Sequence, residues 1–354
     1  MITTHTRTPA EPSSTFWLTL RRRLRKIVAA GVRRSTRFGV MTLQTRPLGS
    51  SGIDVTTIGL GAWQLGKSSS WPTGPDPDEA VRIVHAALDA GVNFIDTAPA
   101  YADGQSELNV GTALQTVPRD QVVLCTKVGP THDGRADWSV DAVARSVEGS
   151  ARRMGVDHID IVVLHSPPPE VLNSADHYAA LEALRDKGLI RAFGASVDWD
   201  QDVRTVLTNT SSQALEVRMS ALFQETWPSV SEAPANGAGV IVKVPLESGW
   251  LSGRYDAGST FTDVRSRWSA DDVALRAGLV DELRALLPSG VSLIDAAVQF
   301  LLANNGVSTV IPGTRSIDHL QSSIAAAAEP LPPETVKAIR AWYAARLGNQ
   351  HLDW

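Results

Sequence analysis

Three short stretches, NFIDTAPAY (93–101), VVLCTKVG (122–129) and IVVLHSP (161–167), decide how this 354-residue chain is interpreted. Each contains a run of apolar and partly β-branched residues that is typical of a buried strand. Each run also ends in one or two ionisable side chains, which are Asp96 and Tyr101, Lys127, and His165. Because the carboxyl ends of parallel strands meet at one face of a sheet or barrel, we expect these four side chains to lie together.

The four residue types together are suited to proton transfer. A phenol has an ordinary pKa of about 10, so Tyr101 can donate its proton efficiently only where a neighbour stabilises the phenolate. We expect Lys127, paired with Asp96, to stay cationic and to lower the pKa of Tyr101. A neutral His165 can hydrogen-bond the same substrate oxygen and fix its direction. The sequence therefore predicts an enzyme.

Similar strand-like runs recur along the chain. Candidate strands start near Ile58, Val92, Val122, Ile159, Ile190, Ala214, Gly239 and Val307. Helical patterns such as DPDEAVRIVHAALDAG (76–91) and DAVARSVEGSARRMG (141–155) lie between most of them. Eight strands separated by helices predict an α/β fold, a parallel (β/α)8 TIM barrel with its active site at the carboxyl ends of the strands. Before them, TLQTRPL (42–48) and IDVTTIGL (53–60) flank a Gly-containing turn and predict a β-hairpin.

Composition agrees with a globular enzyme. A hydrophobic content of 43% supports a large core, and Cys125 is the single cysteine, which excludes an intramolecular disulfide and a thiolate metal cluster. No apolar run approaches the about 20 residues of a membrane span. We therefore expect a cytoplasmic protein in a reducing compartment, a monomer or weak homo-oligomer, with no metal and with neither nucleic acid nor membrane as partner.

The amino-terminal 40 residues differ in charge from the rest. They carry nine Lys or Arg residues and the single acid Glu11, whereas the chain as a whole has a net charge of −5. Such a basic segment is compatible with a transit peptide, a nucleic-acid patch or a membrane-surface helix. We favour a dispensable, disordered extension over residues 1–40, followed by one barrel over residues 41–354.

The motifs resemble those of the aldo-keto reductases. NFIDTAPAYADGQSELNVGTAL (93–114) is similar to that family's signature, and FGASV (193–197), VPLESGWLSGRY (244–255) and VIPGTRS (310–316) follow in the family's order. The resemblance spans roughly residues 46–330 and points to the bacterial aldo/keto reductase and sugar/pyridoxal dehydrogenase branch. It implies a (β/α)8 barrel closed at the bottom by a hairpin, a nicotinamide cofactor, and a catalytic tetrad of Asp96, Tyr101, Lys127 and His165.

The same resemblance implies a set of cofactor contacts. They are Ser196, Glu216, Pro245, Leu246, Ser248, Gly249, Leu251, Gly313, Thr314, Arg315 and His319. Arg315 can pair with a 2′-phosphate, so NADP(H) is the expected cofactor, with NAD(H) as the alternative. Two ring contacts depart from the family pattern, because Glu216 stands where a Gln is common and Lys243 where an aromatic residue is usual.

Substrate binding is assigned to tryptophans in loops of the predicted catalytic face, namely Trp63, Trp138 and Trp250. Aromatic walls accept apolar carbonyls and also stack on the CH faces of sugars, so an aldehyde, a ketone and a sugar all stay open as substrates. The long stretch LESGWLSGRYDAGSTFTDVRSRW (246–268) is expected to cover the cofactor, with Arg265, Arg267 and Trp268 in that cover.

Three other functions stay open at this point. The first is a non-catalytic regulatory subunit that binds a nicotinamide nucleotide. The second is an isomerase or lyase that uses only the phosphate site of a barrel. The third is a sugar or pyridoxal dehydrogenase that works mainly in the oxidative direction with NAD. Only the first two functions do not require Tyr101 as a proton donor paired with Lys127.

Overall fold

The computed structural model describes residues 43–348, 350 and 352, so the predicted extension over residues 1–40 lies outside the described residues. Eight parallel strands follow one another in chain order around a single sheet. These strands are β3 (Leu60–Gly61), β4 (Phe94–Asp96), β5 (Val123–Val128), β6 (Ile159–His165), β7 (Ile190–Val197), β8 (Ala214–Arg218), β9 (Gly239–Lys243) and β10 (Val307–Val310). The predicted strand starts are therefore confirmed.

The first and last strands of the sheet meet. Isolated parallel bridges join Ile58 to Val310 and Gly61 to Gly313. The Gly59 amide donates to the Val310 carbonyl at 2.9 Å, and the Val310 amide donates to the Thr57 carbonyl at 3.0 Å. These bonds close the sheet, and the predicted (β/α)8 barrel is confirmed.

Helices occupy the intervals between the strands. They are α1 (Pro77–Asp89), α2 (Gln105–Leu114), α3 (Val140–Met154), α4 (Pro169–Leu172), α5 (Ala175–Asp186), α6 (Asp200–Asn209), α7 (Trp227–Glu232), α8 (Ala270–Ala285), α9 (Leu293–Leu302), α10 (Ile317–Ala326) and α11 (Pro333–Arg346). Local sequence defines several starts: the Asp76 carboxylate accepts from the Glu79 amide, and Ser269 and Ser292 each open a helix with a capping box. No helix among the described residues has the length and apolarity that crossing a membrane requires.

The predicted hairpin, β1 (Thr45–Pro47) paired antiparallel with β2 (Asp54–Thr56), plugs the amino-terminal end of the barrel. Its Leu48, Ile53 and Val55 belong to the same buried cluster as inward-facing strand residues such as Phe94 and Ile161. Arg46 fastens the hairpin by donating to the carbonyls of Val307 and Leu302 at 2.7 and 2.9 Å. The plug leaves the carboxyl ends of the strands as the open end.

Gly194 gives a direct test of strand packing. It lies in β7, where an added Cβ would stand 1.6 Å from the carbonyl oxygen of Ala214 on β8. Gly194→Ala is therefore expected to lower the free energy of unfolding by about 3 kcal/mol, as overpacking does in other cores. Gly278→Ala is the matched control, because Gly278 is exposed in α8 and its Cβ would meet nothing within 4 Å. Denaturant unfolding should show the control to be neutral or slightly stabilising, and equal effects of the two changes would contradict this account.

Candidate active site

Polar side chains lie together at the open end of the barrel. Side chains alternate along each strand, so every second residue faces inward. The inward rows begin with apolar residues and end with polar ones, as Phe94 is followed by Asp96 on β4 and Cys125 by Lys127 on β5. Neighbouring strands repeat this order in register, since His165 lies beside Ser196 and Ser196 beside Glu216. Each inward row thus delivers one polar group to the same level of the barrel.

Lys127 is the most buried charged group of the site, with no exposed side-chain surface. Its ammonium donates to the Asp96 carboxylate and, at 3.2 Å, to the carbonyl of Thr97. A second carboxylate also contacts this ammonium, with Glu216 Oε2 at 2.9 Å from Nζ and beside the Asp96 carboxyl group. Burial alone would lower the pKa of Lys127, but the two carboxylates outweigh it and raise that pKa well above its ordinary value. The expected pairing with Asp96 is present, and Glu216 adds to it.

Tyr101 is delivered by a tight turn after β4. Ala102 and Asp103 follow it with left-handed backbone angles, φ +49° and +55°. The Tyr101 ring lies edge-on to the His165 ring, with centroids 5.7 Å apart, and its centroid is 5.2 Å from the Lys127 ammonium nitrogen. The four expected residues Asp96, Tyr101, Lys127 and His165 are thus brought together.

The pKa of Tyr101 differs from the sequence-based expectation. Burial raises the pKa of Tyr101 above its ordinary value, and the positive charge of Lys127 offsets only part of this rise. The carboxylates of Asp96 and Glu216 also raise it. The expectation of a lowered Tyr101 pKa is therefore wrong for the protein alone, because desolvation of the phenolate exceeds the effect of one compensated lysine.

His165 is neutral in this environment, as expected. Burial and the nearby charge of Lys127 lower the pKa of His165 to about 3. Since both effects disfavour the imidazolium, the ring can act near neutral pH as a hydrogen-bonding group but not as a cation.

A second polar chain continues from Glu216 to the open end. The Ser196 hydroxyl donates to Glu216 Oε1 at 3.1 Å, and the Lys243 ammonium donates to the Ser196 hydroxyl at 2.8 Å. Lys243 also pairs with Asp198 at 2.9 Å. Burial would raise the pKa of Glu216, but Lys127 and Lys243 outweigh it and lower that pKa to about 2. Burial and the neighbouring Glu216 raise the pKa of Asp96 to about 7.

Asp96, Cys125 and Glu216 place oxygen and sulfur atoms within 4.8 Å of one another, a grouping that resembles a metal site. The Lys127 ammonium already contacts both carboxylates and supplies the compensating positive charge. Burial raises the pKa of the Cys125 thiol well above its ordinary value, so the thiol stays protonated and is a poor ligand. We therefore interpret these three side chains as the surroundings of the Lys127 ammonium and not as a metal site.

A cavity of about 380 Å³ opens above these groups. The sequence-predicted residues that line it are Trp63, Asp96, Tyr101, His165, Glu216, Pro245, Leu246, Ser248, Gly249, Gly313, Arg315 and His319. Lys127 and Ser196 lie beneath the lining, where they contact Glu216. The cavity thus extends from the buried polar cluster to the amino terminus of α10 at Ile317.

Besides Ser196, four predicted contact residues lie outside the cavity lining. The fully buried Trp250 packs against Tyr255, Phe261 and Trp268 at 5.7 to 6.1 Å between ring centroids. This aromatic cluster is the core of the long loop, and Leu251 is buried beside Trp250. Trp138 covers Gly129, whose added Cβ would stand 2.2 Å from the indole. Thr314 is buried and donates to the carbonyl of Ser316 within its own turn at 2.9 Å.

The long loop meets the β3–α1 loop across the cavity. The Val264 amide donates to the Ser70 carbonyl at 3.1 Å, and the Arg265 guanidinium lies 5.6 Å from the Trp71 ring centroid. Arg315 reaches the same loop by donating to the Thr73 hydroxyl at 2.6 Å. Of the expected cover residues, Arg265 lines the cavity, whereas Arg267 and Trp268 pack on each other behind it.

Sequence reasoning did not assign Trp71, Asp198 or a charged role for Lys243 to the site. The stretch GVIVK (239–243) contains a signal for Lys243. Lys243 lies two residues after the inward-facing Ile241, so its side chain is also expected to face inward, at the end of the strand. Trp71 and Asp198 lie in loops, where no periodicity predicts direction.

The chain is similar to known proteins over most of its length. A model described as the aldo/keto reductase family matches residues 57–344. An NADH-specific methylglyoxal reductase of Escherichia coli (strain K12) is 34% identical over 227 residues, 58% of this chain and 68% of that protein. L-galactose dehydrogenase of Arabidopsis thaliana is 28% identical over 297 residues, 81% and 89% of the two chains. The structure of a Bacillus halodurans aldo-keto reductase, in its holo form, is 28% identical with a TM-score of 0.74, covering 88% of this chain and all (100%) of that one.

The buried ion pairs predict how stability responds to the loss of Lys127. Lys127→Met leaves two buried carboxylates without their shared cation, and breaking such a pair typically costs about 3 to 5 kcal/mol of unfolding free energy. The remaining carboxyl groups then have pKa values above those of the unfolded chain. The deficit should therefore be greatest above the raised pKa values of these carboxyl groups and shrink as the pH falls from there toward about 4, the ordinary carboxyl pKa of the unfolded chain.

Urea unfolding of the cofactor-free protein at several pH values measures this deficit. Lys187→Met is the control, because Lys187 is exposed at the end of α5. A deficit for Lys127→Met that did not depend on pH would contradict the ionic account.

Proposed function

Because the chain belongs to the aldo/keto reductase family, a family of oxidoreductases, we propose that it transfers a hydride between a nicotinamide dinucleotide and a carbonyl or alcohol carbon. Tyr101 is the general acid in reduction and the general base in oxidation. The observation that carries this proposal is the contact of Tyr101 with both Lys127 and His165 beneath one cavity. A lyase or isomerase barrel has no need of that arrangement.

The cavity fits a dinucleotide in its distribution of polar groups. One end holds the proton-transfer residues, while Arg315, His319, Ser322 and Ser323 line the other end beside the amino terminus of α10. Positive charge and the amide groups of a helix start are suited to phosphates. Pro245, Leu246, Ser248 and Gly249 form the wall between the ends. We assign the nicotinamide to the tetrad end and the adenosine phosphates to the Arg315 end.

A bound nicotinamide supplies or accepts the hydride. In the reductive direction negative charge grows on the substrate oxygen, and Tyr101 neutralises it by giving up its phenolic proton. Lys127 stabilises the resulting phenolate, and Asp96 keeps Lys127 charged and in place. His165 donates a hydrogen bond that orients the oxygen. Burial destabilises the phenolate and raises the pKa of Tyr101. Lys127 must therefore lie close to Tyr101 to stabilise the phenolate.

We propose NADP(H) as the cofactor, with Arg315 as the partner of the 2′-phosphate. Support comes from the position of Arg315 at the phosphate end of the cavity lining. NAD(H) is the alternative, since the Escherichia coli relative is named as NADH-specific. The resembled family commonly has Arg or Gln at the position of His319, Glu at that of Ser322 and Asn at that of Ser323, and the absence of these types favours the same alternative.

We propose a small carbonyl compound or sugar as the substrate. Trp63 lies beside Tyr101 with ring centroids 6.3 Å apart, and Trp71 packs edge-on against Trp63 at 5.2 Å. The relatives named above include a methylglyoxal reductase and a sugar dehydrogenase. A panel of aldehydes, ketones and aldoses, run with both cofactors and in both directions, separates a reductase from an oxidative dehydrogenase. Tight cofactor binding without turnover on that panel would favour a regulatory subunit.

A cytoplasmic location and a monomeric or weakly associating state complete the proposal. The location is supported by a single buried cysteine. The monomeric or weakly associating state is supported by the scattered positions of the large exposed apolar residues in the described part of the chain, which are Leu108, Val140, Trp199 and Leu275.

The first functional prediction concerns the Tyr101 hydroxyl. Tyr101→Phe should lower the turnover number at least about a hundredfold, the lower range of general acid catalysis, because only the proton donor is removed. Cofactor binding, followed by fluorescence titration, should hold. Tyr178→Phe removes the same group from a buried tyrosine of α5 outside the cavity and serves as the control. If the Tyr101→Phe enzyme kept more than about a tenth of wild-type turnover under conditions where chemistry limits the rate, Tyr101 would not be the proton donor.

The second functional prediction concerns cofactor choice. Arg315→Ala should weaken NADPH binding by about 1.5 to 3 kcal/mol, the usual contribution of a hydrogen bond to a charged group, and should barely affect NADH. Dissociation constants for both cofactors measure the difference. Arg145→Ala, which changes an exposed arginine of α3, is the control. Equal losses for NADPH and NADH would argue against a 2′-phosphate partner.

A further inference from the structure

The site contains one carboxylate more than a simple Lys127 and Asp96 pair requires. Glu216 is 1% exposed and lies against the Lys127 ammonium at 2.9 Å, beside Asp96. A buried carboxylate is costly unless it is compensated. Lys127 alone cannot compensate two ionised carboxylates, so full ionisation of both requires a second cation.

Lys243 is that second cation. Its ammonium reaches Glu216 through the Ser196 hydroxyl, with successive distances of 2.8 and 3.1 Å, and it also pairs with Asp198. The two ammonium groups and the two carboxylates of Asp96 and Glu216 are thus interleaved across β4, β5, β8 and β9.

The backbone also holds Lys243 in a specific direction. Val244 follows it with φ +56°, a left-handed conformation that is a genuine outlier for a β-branched residue. Such strain persists only where the surrounding structure over-determines it. Glu216 and Lys243 are, moreover, both positions at which this sequence departs from the pattern of the resembled family.

We propose that Glu216 and Lys243 are coupled positioning residues: Glu216 holds Lys127 jointly with Asp96, Lys243 balances Glu216 through Ser196, and together they set the charge around the Tyr101 proton donor. This inference rests on the proposed function in taking Tyr101 as that donor. The charged or titratable groups that face Glu216 are Asp96 on β4, Tyr101 in the turn after β4, Cys125 and Lys127 on β5, His165 on β6 and Lys243 on β9.

The coupling has a defined direction with pH. Burial and Glu216 raise the pKa of Asp96 to about 7, whereas Lys127 and Lys243 hold Glu216 ionised. Below that pH Asp96 carries a proton, and Lys127 faces one carboxylate. Above it both carboxylates are charged, and each raises the pKa of Tyr101. Proton donation by Tyr101 should therefore slow as the pH rises through about 7.

Infrared titration of the cofactor-free protein tests the coupling without relying on turnover. The wild-type protein should show a protonated buried carboxyl group that titrates near pH 7. Glu216→Gln keeps the shape and removes the charge, so the midpoint should move down by at least about one pH unit, a tenfold change in the proton affinity. Asp96→Asn should abolish the band and thereby identify the group. An unchanged midpoint in Glu216→Gln would overturn the proposal.

A double-mutant cycle on turnover tests the pairing itself. Lys243→Met leaves Lys127 to compensate both Asp96 and Glu216 and should reduce the turnover number by at least about tenfold. The combined Glu216→Gln and Lys243→Met enzyme should recover most of that loss, and its turnover should fall less steeply above pH 7 than that of wild type. Additive losses would refute the coupling. If wild type shows no turnover on the carbonyl panel, the proposed function fails, and the infrared titration still decides this inference.

Discussion

The burial of the Lys127 ammonium is the constraint on which the site depends. A charge with no exposed surface needs compensating groups within hydrogen-bonding distance, and Asp96, Thr97 and Glu216 supply them from two other strands and the turn that follows β4. Since these partners belong to different strands, the ion pairs form only when the barrel closes in the right register. Formation of these ion pairs therefore depends on correct assembly of the barrel.

The two ends of the barrel divide stability from function. At the plugged end the hairpin and the strands share an apolar cluster, and backbone carbonyls satisfy Arg46. The open end contains the strained backbone conformations. Within the described chain the non-glycine residues with positive φ are Ala102, Asp103, Ser166, Val244, Glu247 and Ser248, and all lie in loops that follow β4, β6 or β9. The well-packed end holds the strands so that strained turns can aim Tyr101, His165 and Lys243 at one cavity.

The interplay of burial and charge explains why the chemistry of Tyr101 is not visible from its neighbours alone. Desolvation raises its pKa, Lys127 lowers it, and the two carboxylates raise it again. Counting partners in the sequence suggests a net lowering, because a sequence shows which charges are present and not how much water has been removed. The balance of these opposing effects is a property of the closed cavity.

The sequence by itself determined the barrel and the four residues of the proposed tetrad. Alternation of β-branched runs with amphipathic stretches is a local property, and a polar residue at the end of an apolar run, such as Lys127 in VVLCTKVG, can be recognised without coordinates. Only the tertiary structure decided which aromatic residues line the cavity and how the surplus charges pair. Trp250 is drawn into the core of its own loop whereas Trp71 reaches the cavity, and Lys243 meets Glu216 through Ser196. Loop direction and cross-strand contacts join residues far apart in the chain, and no local pattern encodes them.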